Sequence, residues 1–183
     1  MEPFGKMVRM TVGIASGSLD DLEAISEIYG HYVRTSAISF DVDVPSAAWR
    51  RDWFSRFDTR GRHRLLVARS QGRAVGYAAS VPYRLRAAYA PSVETSVYVA
   101  PSHTGQGLGS ALYKALLAQL EHEDVHRAYA GIGMPNPASV RLHERCGYQR
   151  AGYYTEQGRK FGRYWDVAWY ERAFPEVAST ASG

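Results

Sequence analysis

The sequence predicts an α/β domain: one mixed sheet, antiparallel in its N-terminal half and flanked by helices. Three observations lead there. Apolar stretches at 64–69 and 74–81, joined by the turn Gln71-Gly72-Arg73, read as a hairpin, and strands that follow one another directly pair antiparallel. A strand (92–100), a glycine-rich loop (105–110) and a helix marked by Leu108, Leu112, Leu116 and Leu120 precede another strand (127–133), the pattern of a parallel crossover. The 183 residues suffice for one domain with a sizeable core.

Element by element, residues 10–15 are a first strand. Ser18 or Asp20 caps a helix to about Val33, because Leu22, Ile25, Ile28, Tyr29 and Tyr32 recur at helical spacing. Residues 35–40 are an extended connection. Ser46 caps a second helix with Trp49, Trp53, Phe54 and Phe57 on one side. After the hairpin and the crossover, Asn136 and Pro137 supply the cap and first residue of a short helix to Cys146, and Gly147 stops it. Two strands end the chain, giving the order β-α-α-β-β-β-α-β-α-β-β. The domain spans 10–173, between an N-terminal extension (1–9) and a small-residue tail (174–183).

Hydrophobic residues make up 45% and aromatics 13%, as in an ordinary soluble protein, and the net charge of +4 favours anionic ligands such as nucleotides. Basic residues are scattered, densest at Gly158–Arg163, so nucleic acid is not the expected partner. No apolar run approaches a membrane span, the N-terminus lacks the apolar core of a signal peptide, and the single cysteine, Cys146, excludes an intrachain disulfide. A cytoplasmic location is expected. The histidines show no metal-ligand spacing, and no metal is expected.

The loop Gly105-Gln106-Gly107-Leu108-Gly109-Ser110 carries the functional signal. A strand-to-helix turn rich in glycine leaves backbone N–H groups at the positive end of a helix, a cradle for phosphate. A Walker P-loop is excluded because the Gly-Lys-Ser/Thr ending is missing. A Rossmann loop would follow the first strand and be answered by an acid at the end of the second; here strands precede it, and Glu121, Glu123 and Asp124 lie at a helix end. The strand before the loop carries one carboxylate, Glu94. On a period-2 strand Glu94 shares a face with Ser96 and Tyr98.

The loop resembles motif A of the GCN5-related N-acetyltransferases (GNAT), with Gly107 and Gly109 in place and Thr104 where Gln or Arg is usual. Residues 136–148, Asn-Pro-Ala-Ser-Val-Arg-Leu-His-Glu-Arg-Cys-Gly-Tyr, resemble motif B of the same family. Segments 28–41, 82–89, 93–103, 131–148 and 158–167 together resemble the phosphinothricin and methionine sulfone acetyltransferases over roughly 10–172, with Gly30 departing from a common Asn.

The resemblance implies transfer of acetyl from acetyl-CoA to an amine. It places the catalytic base at Glu94 and an acid or acceptor-binding group at His143. It assigns the coenzyme to Val97, Tyr98 and Val99, to the loop residues Thr104, Gly105, Gln106, Gly107, Leu108, Gly109 and Ser110, and to Asn136 and Ser139. Capping alone would also account for Asn136. Arg84, Arg86 and Tyr89 match the acceptor-binding set, and an arginine pair suits a phosphinate or carboxylate. Phe40 and Tyr32 either wall the acceptor pocket or pack in the core. Arg159, Lys160 and Arg163 are a second basic cluster, near the acceptor or at a dimer contact. Cys146 reads as a packed thiol, so transfer is expected to be direct. The implied acceptor is a small amino acid analogue and the implied assembly a homodimer. The rivals are another amine, disfavoured for cationic acceptors by the arginines, and a non-catalytic acyl-CoA sensor, which would need neither Glu94 nor His143.

Overall fold

A computed structural model describes residues 12–175; the expected extension at 1–9, the first residues of the first strand and the tail from 176 lie outside the described residues. The elements are β1 (Val12–Ser16), α1 (Leu22–Thr35), α2 (Ala47–Phe54), β2 (Leu65–Ser70), β3 (Arg73–Pro82), β4 (Ser92–Val99), α3 (Leu108–Leu120), β5 (Arg127–Gly133), α4 (Pro137–Arg145), β6 (Gln149–Lys160) and β7 (Arg163–Ala173). They form one seven-stranded sheet in the order β1-β2-β3-β4-β5-β7-β6. Neighbours are antiparallel except β4 and β5, which run parallel.

Alternation along β2 shows how the sheet is sandwiched. Leu65 and Val67 join Ile25, Ile28, Tyr77 and Ala79 under α1. Leu66 and Ala68 join Leu112, Leu116 and Leu120 of α3 on the other face. Each fully buried leucine contributes about 1.5–3 kcal/mol relative to exposure. Two helix starts follow the expected chemistry: the Ser46 hydroxyl accepts from the Trp49 amide at 3.2 Å, and Asn136 Oδ1 accepts from the Ser139 amide at 3.1 Å. The first helix differs from expectation: Ser18 is the cap residue of a single 3-10 turn, Leu19–Asp21, and α1 starts behind it with Asp21 rather than Ser18 or Asp20 at its cap position. Gly147, at φ +83°, ends α4 in the left-handed region that glycine tolerates.

Two further local expectations are corrected. The buried stripe of α2 starts at Arg50, not Trp49: Trp49 is 44% exposed and Arg50 is 2% exposed. Positions 50, 53, 54 and 57 recur at i, i+3, i+4 and i+7, so Arg50 completes the stripe with Trp53, Phe54 and Phe57. Its guanidinium carbon lies 4.2 Å from the Tyr29 ring centroid. The 35–40 segment is bent rather than extended. The helix runs on to Thr35, and the bends at 37–39 turn Ala37 and Ser39 into the interior.

One feature of the sheet creates the site. The β4–β5 ladder holds only Ser92↔Arg127, Val93↔Ala128 and Glu94↔Tyr129. From Thr95 onward β4 pairs with β3 alone, so its other edge is open.

Candidate active site

Glu94 is the last paired residue of that ladder and sits where the strands part. It lines a cavity of about 350 Å³ with Tyr29, Ile38, Ser39, Phe40, Ser96, Tyr98, Gly131, Gly133, Gln157, Val167 and Trp169, among others. Burial pushes its carboxyl above the usual carboxylate range. Among the described residues it has no hydrogen-bond or ion-pair partner, so it is not the neutralised half of a strand salt bridge. A carboxylate with a raised proton affinity and free oxygens is suited to accept a proton from a bound amine or its water.

A groove of about 360 Å³ adjoins this cavity, and the two share Ile38 and Tyr98. It is lined by Val97 to Val99 from the open edge of β4, by Thr104, Gly105 and Gly107 to Ser110 from the loop, and by Asn136 and Ser139 from α4. Every coenzyme residue expected from the sequence lines it except Gln106, whose side-chain nitrogen turns away to the Ser102 carbonyl at 3.2 Å. Gly105 (φ +75°) and Gly107 (φ +79°) take the left-handed backbone that the turn requires. At Gly109 a Cβ would lie 2.9 Å from Leu142 Cδ1, so glycine lets α3 and α4 close on one another. The first helical bond runs from the Ala111 amide to the Gly107 carbonyl at 3.0 Å, which leaves the preceding amides of the turn to a ligand. Arg141 and Arg145, one turn apart on α4, add positive charge to the wall. They were not among the residues expected here, and their i, i+4 spacing on the helix was the only signal the sequence offered. Amides, two guanidiniums and an open strand edge fit a diphosphate-bearing pantetheine thioester.

The remaining expected residues divide. Phe40 lines the Glu94 cavity and Tyr32 the groove, where its hydroxyl donates to the Val99 carbonyl at 2.6 Å. Arg84 is not in the Glu94 cavity. It lies 5.1 Å and 5.4 Å from the ring centroids of Tyr83 and Tyr89 and lines a neighbouring cavity of about 310 Å³ with Tyr83, Tyr129, Tyr154, Gln157 and Trp169. Gln157 and Trp169 are the partition shared by the two cavities, joined by a 3.2 Å bond from Trp169 Nε1 to Gln157 Oε1. Arg86 is exposed and, like Tyr89, lines neither cavity. The cause is the excursion of residues 83–91 between β3 and β4, which carries these side chains away from the β4 face.

His143 lies on the opposite face of the sheet, 4% exposed and outside both the cavity and the groove. Nε2 is 2.9 Å from the Tyr113 hydroxyl and Nδ1 is 2.8 Å from the Ser139 carbonyl, so Nδ1 carries a proton and donates. Burial lowers its pKa, which favours the neutral ring. Tyr113 and Tyr148 both reach Thr95 Oγ1, at 3.1 Å and 2.7 Å, tying this side to the back of β4. Lys160 turns inward while Arg159 and Arg163 stay exposed. Among the described residues no cluster of His, Cys, Asp and Glu converges as a metal site, and no helix is long and apolar enough to cross a membrane.

The family model of the GNAT acetyltransferases matches residues 13–148, and the chain belongs to that family. It is an acetyl-CoA-dependent N-acetyltransferase. Within the family it is 51% identical to a phosphinothricin N-acetyltransferase of Streptomyces coelicolor, over 88% of this chain and 95% of that one. It is 32% identical to an L-methionine sulfoximine/L-methionine sulfone acetyltransferase of Salmonella typhimurium, over 93% and 98%. A phosphinothricin acetyltransferase from Sinorhizobium meliloti, solved with acetyl-CoA, superposes with a TM-score of 0.86 at 31% identity, covering 93% of this chain and 92% of that one.

Proposed function

We propose that this enzyme acetylates the α-amine of small amino acid analogues with a tetrahedral polar side chain, with phosphinothricin, methionine sulfone and methionine sulfoximine as acceptors. Transfer is direct, within a ternary complex. The observation that carries the reading is Glu94, without a side-chain partner among the described residues, in a cavity that adjoins the coenzyme groove, with Ile38 and Tyr98 lining both. The cavity is of amino-acid size. The named relatives support this acceptor class.

In this reading the loop amides and the α4 arginines hold the coenzyme, which supplies the acetyl group. Glu94 takes the proton that the amine loses on attack. His143 bonds the Ser139 carbonyl from the α3–α4 side, and in this reading its part is to position that groove-wall residue beside the coenzyme rather than to touch the acceptor. Arg84 attracts the anionic end of the acceptor from the adjoining cavity, across Gln157 and Trp169. Cys146 is buried and its thiol is pushed up by burial, which supports transfer without an acyl-enzyme. The biological role is detoxification in the cytoplasm by a homodimer. The exposed Tyr153, Tyr154, Phe161 and Tyr164 on the β6–β7 hairpin support a second copy covering that edge.

Thiol release from acetyl-CoA tests the reading, with methionine sulfone, methionine sulfoximine, phosphinothricin, an aminoglycoside and a basic peptide as acceptors. Turnover confined to the first three is expected. Turnover of the aminoglycoside or peptide instead would reject the acceptor class and leave the role of Glu94 intact.

A further inference from the structure

The tip of the β6–β7 hairpin buries a lysine. Lys160 is 3% exposed, and no ion pair among the described residues includes it. Burying an ammonium is costly unless it is compensated. Its Nζ donates to the Ser39 carbonyl at 2.6 Å, a contact that joins residues 121 positions apart. Strand alternation puts Gly158 on the same side as Lys160. There the absent side chain makes room for Phe40: a Cβ on Gly158 would stand 2.3 Å from Phe40 Cε2. Gly133 leaves similar room on β5, where a Cβ would stand 2.5 Å from the Ala37 carbonyl oxygen. The loop 37–40 therefore lies in a slot cut by two glycines.

Ser39 is held at both ends of the residue. Lys160 takes its carbonyl. Its hydroxyl is 2.7 Å from the Tyr29 hydroxyl and accepts from the Asp41 amide at 3.2 Å. Ser39 and Phe40 are wall residues of the Glu94 cavity, whereas Lys160 is not. We infer that Lys160 is a positioning residue for acceptor binding: its ammonium, clamped on the Ser39 carbonyl, sets the place of the Ser39–Phe40 wall of the Glu94 cavity. This rests on the reading of that cavity as the acceptor site.

The test compares Lys160→Met, which keeps the stem and removes the cation, with Lys160→Arg, which keeps a cationic donor; Lys160→Gln repeats the neutral case with a polar side chain. Amide hydrogen exchange of 36–41 and the KM values for methionine sulfone and acetyl-CoA are measured for each. K160M is expected to exchange faster at 36–41 and to raise the KM for methionine sulfone by about tenfold, the scale of one charged hydrogen bond. The KM for acetyl-CoA stays at its original value, and K160R recovers most of the loss. Unchanged exchange in the neutral variants would overturn the clamp. Faster exchange with an unchanged acceptor KM would reduce Lys160 to a structural staple, as would parallel rises in both KM values. Failure of the unaltered enzyme to turn over methionine sulfone, sulfoximine or phosphinothricin would instead reject the acceptor reading, and with it the positioning role; the exchange arm would still decide the clamp.

Discussion

Glu94 and Tyr129 form the last rung between the two parallel strands, so the only carboxylate of β4 stands at the fork of the sheet. Above that rung the edge of β4 is free for a thioester arm. Below it the ladder holds the carboxylate still. One backbone pairing thus both fixes Glu94 and marks where the edge of β4 becomes free.

Replacing Glu94 by Gln removes the proposed base and keeps the shape. The expected loss in kcat/KM is about 10²–10⁴-fold, the range of general-base catalysis, with acetyl-CoA affinity unchanged. Steady-state kinetics and coenzyme titration check both. Unchanged kinetics would reject Glu94 as the base.

The same carboxyl makes a pH prediction. Its folded pKa is raised by burial. On lowering pH, activity should therefore fail above the ordinary carboxylate range, because the base becomes protonated early. For stability, the unfolded chain loses this proton first as pH rises. Glu94 thus lowers stability as pH climbs from the ordinary carboxyl value through the raised one. Glu94→Gln should be the more stable protein at neutral pH, read as a higher thermal midpoint, and the difference should vanish in acid.

Gly107→Ala forces an L-residue into φ +79° at the start of α3. The expected cost is about 1–2 kcal/mol in stability. Coenzyme affinity falls while the KM for the acceptor holds. Calorimetric titration with coenzyme A beside acceptor kinetics separates the two effects.

Gly158→Ala places a methyl where the Phe40 ring lies. The ring must move, and the acceptor KM should rise with little change in coenzyme binding. Equal changes in both would show that Phe40 does not define the acceptor wall.

Arg50 is buried over Tyr29, and its Nε and Nη2 have no hydrogen-bond partner among the described residues. Arg50→Met keeps the packing without the buried charge and should match or exceed the original stability. Arg50→Ala leaves a hole and should cost about 2 kcal/mol or more. Denaturant midpoints order the three proteins.

Much of this was legible in the sequence because it is local. Apolar periodicity marked the strands and helices, and Ser46 and Asn136 cap where their side chains can reach amides three residues on. The glycine loop announced itself because left-handed backbone at Gly105 and Gly107 excludes most other residues. Glu94 was placed with Ser96 and Tyr98 by strand alternation alone, and all three line one cavity. Arg50 fits the same i, i+3, i+4, i+7 count as Trp53, Phe54 and Phe57, but a charged residue is seldom buried.

What the tertiary structure alone decided concerns where the long polar side chains go. In sequence, Arg84 and Arg86 read as an acceptor-binding pair and Lys160 as part of a second basic cluster, near the acceptor or at a dimer contact. Arg84 stands over tyrosines in a second cavity, Arg86 in solvent, and Lys160 in the interior on a carbonyl 121 positions away. His143, on a helix expected to serve the active site, faces Tyr113 and Ser139 across the sheet from the Glu94 cavity. Local pattern determines which backbone forms, since dihedral preference and periodicity act over a few residues. The partner of a flexible charged side chain is set by which distant elements arrive beside it, and that is known only once the sheet has closed around its two cores.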